Sequence, residues 1–219
     1  MAHGKAFEMQ VIRNIIFDFG GVLVDLDRKR CIEAFERIGA GAVAGYVDEC
    51  RQEDLFHDLE VGESSVAGFC EAVRRACPGC NATDDDICGA WNALLTGIPR
   101  HRLDRLKELK RDYRLVLLSN TNPIHWRKAV DDYFTVGGLA VGDYFENTYL
   151  SYEMHMLKPD EGIFRRVLDD SGFAAGETLF IDDSAANCAA AGRLGITACM
   201  PTACHTKAEG KEPGTLWLL

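Results

Sequence analysis

The chain predicts an α/β fold: a doubly wound, Rossmann-like parallel sheet core with an α-helical cap inserted into it. Three observations carry this. Residues 14–17, 114–118 and 178–181 are short apolar runs rich in Ile, Val, Leu and Phe, the pattern of strands buried on both faces of a parallel sheet. Helical stretches such as 100–111 and 161–171 alternate with them, as crossover connections require. Between the first run and the second, CIEAFERI, SSVAGFCEAVRRA and DDDICGAWNALL have helical periodicity with no convincing strand among them. That interval of about seventy residues is too long for a structureless loop in a compact domain.

The expected organisation follows from these segments in order. Residues 1–27 and 99–219 form a discontinuous core, and 28–98 an inserted helical cap. NTYLS (147–151) and ITACM (196–200) are weaker further strands. CPGC, with Cys77 and Cys80, has the spacing of a redox or metal pair but no second such pair, so a Pro-Gly turn closing a helix is the expectation. Cys199, Cys204 and His205 crowd together near the C-terminus, where only proximity argues for metal binding. The polar KAEGKEPG tail reads as a loosely held end.

Bulk properties exclude several function classes. The 219 residues are 47% apolar, enough for a sizeable core, yet no run approaches the roughly 18 apolar residues of a membrane span. MAHGKAFEMQ has no apolar export signal, and nine cysteines without one fit a reducing compartment. A cytoplasmic enzyme is expected. A net charge of −10 without clustered Lys and Arg argues against nucleic acid and anionic lipid as partners. The pattern specifies no oligomeric state.

Candidate chemistry sits at the strand ends. NIIFDFGGVLVDLD places Asp18 at the end of a buried strand, before a flexible Gly20-Gly21 turn. LVLLSNTNP adds Ser119 and Asn120, MLKPDEGIF adds Lys158, and LFIDDSAANC adds Asp182, Asp183 and Asn187. In an open α/β sheet, ligands gather beyond the carboxyl ends of the strands at a switch point. Asp18, Ser119 and the Asp182–Asp183 pair should therefore face one crevice. Alone, an Asp before Gly-Gly is a turn residue; with three partner motifs it is a nucleophile forming an aspartyl-phosphate.

The remaining roles follow from charge. A phosphate ester approaches a carboxylate only with a cation between them, which suits Mg2+ held by Asp18 and Asp183, with Asp182 as a ligand or an orienting group. Ser119 and Asn120 offer hydroxyl and amide donors to phosphate before a helix begun by Pro123. Lys158 precedes a helix start, where a cation is misplaced for helix stability, so it is assigned to phosphate and catalysis. Asn187 could orient Lys158 or an acid. His125 and Trp126 read as ordinary helix packing. In the cap, Glu60, His57 and Asn92 are candidate substrate contacts, because polar groups there neighbour aromatics.

This ordered set of four motifs resembles the haloacid dehalogenase superfamily, in its branch of small-sugar phosphatases with a helical cap (the alpha-D-glucose-1-phosphate phosphatase type). The likeness spans roughly residues 12–200. It implies magnesium-dependent hydrolysis of a small phosphorylated metabolite through an aspartyl-phosphate, with the residue at Gly20 binding the metal through its backbone carbonyl. One departure stands out: phosphatases of the family usually carry a second Asp where this chain has Gly20. Glycine cannot protonate a leaving oxygen or activate water, work worth roughly 10²- to 10⁴-fold. The alternatives are a phosphatase with a surrogate acid such as Asp25, Asp27 or a cap residue, a 2-haloacid dehalogenase, whose halide needs no proton, or a phosphate-binding module without turnover. The acid pair favours the phosphatase, because clustered carboxylates are costly without a cation.

Overall fold

The computed structural model describes residues 11–48 and 55–201. Its central sheet has five parallel strands: β1 (Asn14–Phe17), β4 (Arg114–Ser119), β5 (Asn147–Leu150), β6 (Thr178–Ile181) and β7 (Thr197–Cys199), in the spatial order β5-β4-β1-β6-β7. Every residue of β1 and β6 is buried, which explains why, after Asn14 and Thr178, these strands run apolar rather than alternating. The chain steps outward from β1 through β4 to β5, then returns to fill the other side with β6 and β7. A crevice therefore opens at the carboxyl ends of β1, β4 and β6.

Helices cover both sheet faces. On one, α6 (Arg100–Leu109) buries Leu103, Leu106 and Leu109, while α7 (Pro123–Lys128) continues into a π-helical turn, Ala129–Tyr133, ahead of α8 (Val141–Tyr144). Trp126 packs there against Phe19 and Phe134. On the other, α10 (Glu161–Ser171) contributes Ile163, Phe164 and Val167, and α11 (Ala185–Arg193) contributes Ala190 and Ala191. A short helix, α9 (Ser151–Met154), directly follows β5.

Between β1 and β4 lies the helical cap: α1 (Arg28–Arg37), α2 (Gly41–Asp48), α3 (Leu55–Glu60), α4 (Val66–Ala76) and α5 (Asp84–Asn92). These helices share a separate apolar cluster built on Phe35, Phe56, Phe69 and Trp91, whose rings contact one another. Capping residues delimit them: Asp27 accepts from the Arg30 N–H, Ser65 from Gly68, and Thr83 with Asp86 closes a capping box. One correction arises. The segment does contain a strand, because β2 (Asp25–Leu26) and β3 (Leu95–Gly97) pair antiparallel where the chain enters and leaves the cap; three residues are too few to show alternation. Ile124 of α7 joins the cap cluster from the core side.

CPGC forms a turn. The Cys77 N–H donates to Val73 at the end of α4, and the Cys80 N–H donates to the Cys77 carbonyl. Both thiols are buried and free, as are Cys31 and Cys70, and the partly buried Cys88 and Cys188 are free too. Cys199 is disulfide-bonded, which departs locally from the expectation of thiols throughout. Cys204, His205 and the KAEGKEPG tail lie outside the described residues. Among the described residues no helix is long and apolar enough to cross a membrane.

Candidate active site

Four chain segments meet where the sheet reverses. Asp18 follows β1 and is 7% exposed, Lys158 lies before α10 and is 4% exposed, and Asp182 follows β6 at 0%. The Lys158 Nζ donates to Asp18 Oδ1 (2.6 Å), Asp182 Oδ2 (2.7 Å) and the Leu118 carbonyl (3.1 Å). A cation misplaced for its helix is thus the hub of the site. Burial alone would lower the Lys158 pKa, but Asp18 and Asp182 outweigh it and raise it. Burial pushes Asp18 up to about 7, Lys158 opposing and Asp182 adding to the rise.

The supporting groups account for this geometry. Asn120 clamps the Lys158 backbone, donating from Nδ2 to its carbonyl and accepting its N–H at Oδ1, both at 2.8 Å. Asn187 Nδ2 lies 3.0 Å from both Asp182 oxygens, and the Ser184 N–H donates to Oδ1 at 2.8 Å. Asp182 is therefore fully engaged by protein donors and serves to hold Lys158. Asp183 instead lines the open cleft with Asp18 and Gly20, its pKa raised by burial and by Asp182.

Several expected site residues are placed otherwise. Ser119 is buried, its hydroxyl turned to the Asn120 carbonyl (3.3 Å), and it does not line the cleft. Asn120 lines the cleft, and one Nδ2–H and its Oδ1 hold the Lys158 backbone, so it positions the cation while a second amide hydrogen remains. His57 and Asn92 lie outside the cleft lining; the His57 ring instead faces Asp58 at 3.6 Å. Glu60 does line it. His125 is buried, stacks on Trp91 (4.4 Å between centroids) and bonds the Trp91 carbonyl through Nε2 (3.0 Å). Burial lowers its pKa to about 4, so at neutral pH Nε2–H is the donor and His125 ties α7 to the cap. Reading the sequence did not single out Arg28, Tyr46 or Phe56, which also line the cleft of about 430 Å³. Arg28 was detectable as the first cation after the Asp18 loop.

The donor set suits a hard divalent cation. Carboxylate oxygens of Asp18, Asp182 and Asp183 lie within 4.8 Å of one another, with no His or Cys in the group, which matches oxygen-preferring magnesium. Two buried acids, Asp18 and Asp182, share one lysine, and Asp183 is exposed beside them, so negative charge remains to be compensated. The two glycines of the loop differ. Gly20 has ordinary φ and room for a Cβ, with only Leu26 Cδ1 at 3.5 Å. Gly21 has φ +71°, and a Cβ there would collide with the Asp183 carboxylate. Gly21→Ala is therefore expected to cost about 1–3 kcal/mol of stability and to weaken magnesium binding. Thermal unfolding and titration calorimetry check both; unchanged magnesium affinity would mean that Asp183 turns aside without loss.

Fold and crevice together define an α/β enzyme with a lysine-bridged acidic site at the switch point of its sheet. The chain belongs to the haloacid dehalogenase-like hydrolase family, which it matches over residues 12–195. It is 34% identical over 191 residues to the D-ribitol-5-phosphate phosphatase of Bacteroides thetaiotaomicron, an alignment covering 87% of this chain and 92% of that one. Its structure is similar to that of BT-2542, a family enzyme from the same organism solved with magnesium and inorganic phosphate (TM-score 0.82, 41% identity, 92% and 96% of the two chains). A HAD-like hydrolase from Porphyromonas gingivalis is also similar (TM-score 0.80, 38% identity, 87% and 91% covered).

Proposed function

We propose that this protein is a magnesium-dependent phosphatase of a small sugar or polyol phosphate, working in the cytoplasm through an aspartyl-phosphate. One observation carries the reading: the Lys158 ammonium bridges Asp18 and Asp182 at the strand ends while Asp183 faces the cleft beside them. Relatives named as a sugar-alcohol phosphatase and solved with magnesium and phosphate support it. Six free thiols among the described residues, against the one disulfide-bonded Cys199, support the compartment. Residues 28–98 act as the cap over a core of 1–27 and 99–219.

The residues divide the work. Asp18 attacks phosphorus with the oxygen that Lys158 does not hold, forming an aspartyl-phosphate as the ester oxygen departs. Lys158 favours the ionised form of Asp18 against its burial and offers positive charge to the phosphoryl oxygens; Asp182, Asn187 and Asn120 fix where that charge sits. Asp18, Asp183 and the Gly20 carbonyl would hold Mg2+, which when bound offsets the negative charge between carboxylate and phosphate. Arg28 supplies a further cation at the cleft, within a chain whose net charge would otherwise repel an anionic substrate.

A dehalogenase would leave Asp183 without a role, because halide departure calls for neither a proton nor a metal. A panel of sugar, polyol and aryl phosphates, assayed with magnesium and with excess EDTA, tests the proposal. Hydrolysis is expected only with magnesium, and readdition after chelation should restore it. Turnover that survives EDTA would overturn the metal assignment. Release of halide from 2-haloacids without phosphatase activity would overturn the function.

A further inference from the structure

We infer that Glu60, presented by the cap, is the general acid and base that Gly20 cannot supply. This inference rests on the phosphatase reading above.

Elimination within the cleft comes first. Among the described residues, the titratable side chains lining it are Asp18, Arg28, Tyr46, Glu60, Lys158 and Asp183. Asp18 and Asp183 belong to the acid cluster, while Arg28 and Lys158 are cations. Tyr46 sits at the rim, 37% exposed. The next acids after Gly20 in sequence do not line the cleft: Asp25 lies against Arg102 at 2.7 Å, and Asp27 caps α1 by accepting the Arg30 N–H at 2.9 Å. Glu60 is the remaining carboxyl.

Its placement is fixed from the core, as a reacting group needs. Glu60 ends α3, and the next turn is fastened to α9 and the loop after β4. The Ser151 hydroxyl lies 2.7 Å from the Glu60 carbonyl and 2.9 Å from the Thr121 carbonyl, and accepts the Thr121 N–H at 2.9 Å. His155, in the left-handed region at φ 55°, bonds the Val61 carbonyl through Nδ1 at 2.9 Å. Gly62, at φ +76°, lies so close to the Tyr152 carbonyl that a Cβ would overlap it. These contacts tie one cap turn to the catalytic side of the sheet, and Glu60 is the residue of that turn that reaches the cleft. Burial also pushes its carboxyl up to about 7, where protonated and ionised forms coexist near neutral pH, the condition for an acid that must later act as a base.

The proton accounting closes. As Asp18 forms its bond to phosphorus and the ester P–O bond breaks, the Glu60 carboxyl gives its proton to the departing oxygen, releasing the alcohol. Glu60, now a carboxylate, takes a proton from water whose oxygen attacks the aspartyl-phosphate. Asp18 departs as a carboxylate, hydrogen phosphate is released, and Glu60 is protonated again.

The test compares wild type with Glu60→Gln in magnesium, by rapid-quench measurement of alcohol release in the first turnover. The substrates are matched primary-alcohol, anomeric and aryl phosphates, and the rates are plotted against leaving-group pKa. Wild type should give a shallow slope, because the acid removes the dependence on alkoxide stability. Glu60→Gln should steepen it, slowing primary-alcohol esters by roughly 10²- to 10⁴-fold while aryl esters are much less affected. A uniform rate loss across all esters, or a change in KM alone, would make Glu60 a substrate contact and overturn the inference. Should the variant fail to fold, the wild-type slope decides by itself: a steep one means that no acid acts. Wild type that hydrolyses no ester with magnesium removes the phosphatase reading, and this inference with it.

Discussion

Asp18→Asn is expected to abolish phosphatase turnover while leaving the fold as stable as before or more so. The amide cannot attack phosphorus, and losses on the order of 10⁴-fold or more accompany removal of a covalent nucleophile. Magnesium binding should weaken as well, since one anionic ligand is lost. Stability moves the other way for an electrostatic reason. Asp18 is buried beside Asp182, and burial pushes its pKa up to about 7, so keeping it charged costs free energy that asparagine does not incur. Its side-chain oxygen still accepts from Lys158, which keeps its second partner, Asp182, at 2.7 Å. Steady-state kinetics and thermal unfolding in EDTA test the two halves together. Substantial retained hydrolysis would sink the covalent mechanism, and a large drop in melting temperature would show that Asp18 is structural.

The same electrostatics explain what the amino-acid sequence revealed. The three central strands were visible because buried parallel strands are written as apolar runs, whereas the flanking β5 and β7, partly exposed, were fainter; the acids stood out because they follow such runs. Lys158 was identifiable from its conflict with the helix it precedes. Groups that act through others were harder to place. Ser119 and Asn120 have the donors expected of a phosphate loop, but only the packed backbone shows that the Asn120 side chain also clamps Lys158. Asn187 had an equally good surface reading until the position of Asp182 was known. In the cap, helical periodicity locates the helices yet does not say which faces turn toward the sheet. Glu60, His57 and Asn92 therefore looked alike, and only Glu60 reaches the cleft. The tie between Ser151 and the Glu60 carbonyl joins residues 91 apart, a separation no local pattern encodes.

Lys158→Ala should produce the largest combined loss of activity and stability. Kinetically, the phosphoryl group loses its main protein cation and Asp18 loses the partner that orients it, so both kcat and kcat/KM fall. Thermodynamically, Asp18 and Asp182 would face each other with no lysine between them, and removing one partner of a buried ion pair costs about 3–5 kcal/mol. For a chain of this size that corresponds to roughly 10 °C or more in melting temperature. The pH dependence separates charge from packing. Without Lys158 the folded-state pKa of Asp18, already about 7, rises further, so above that value the folded variant binds more protons than folded wild type. Its electrostatic deficit relative to wild type should therefore be smallest below about 7, where Asp18 is protonated in both folded proteins, and should grow as the pH rises above that value. Melting curves of both proteins in EDTA from mildly acid to alkaline pH measure this directly. A deficit that stays constant across that range would assign the loss to the missing side-chain volume, and the lysine would then be a packing element whose charge contributes little to the site.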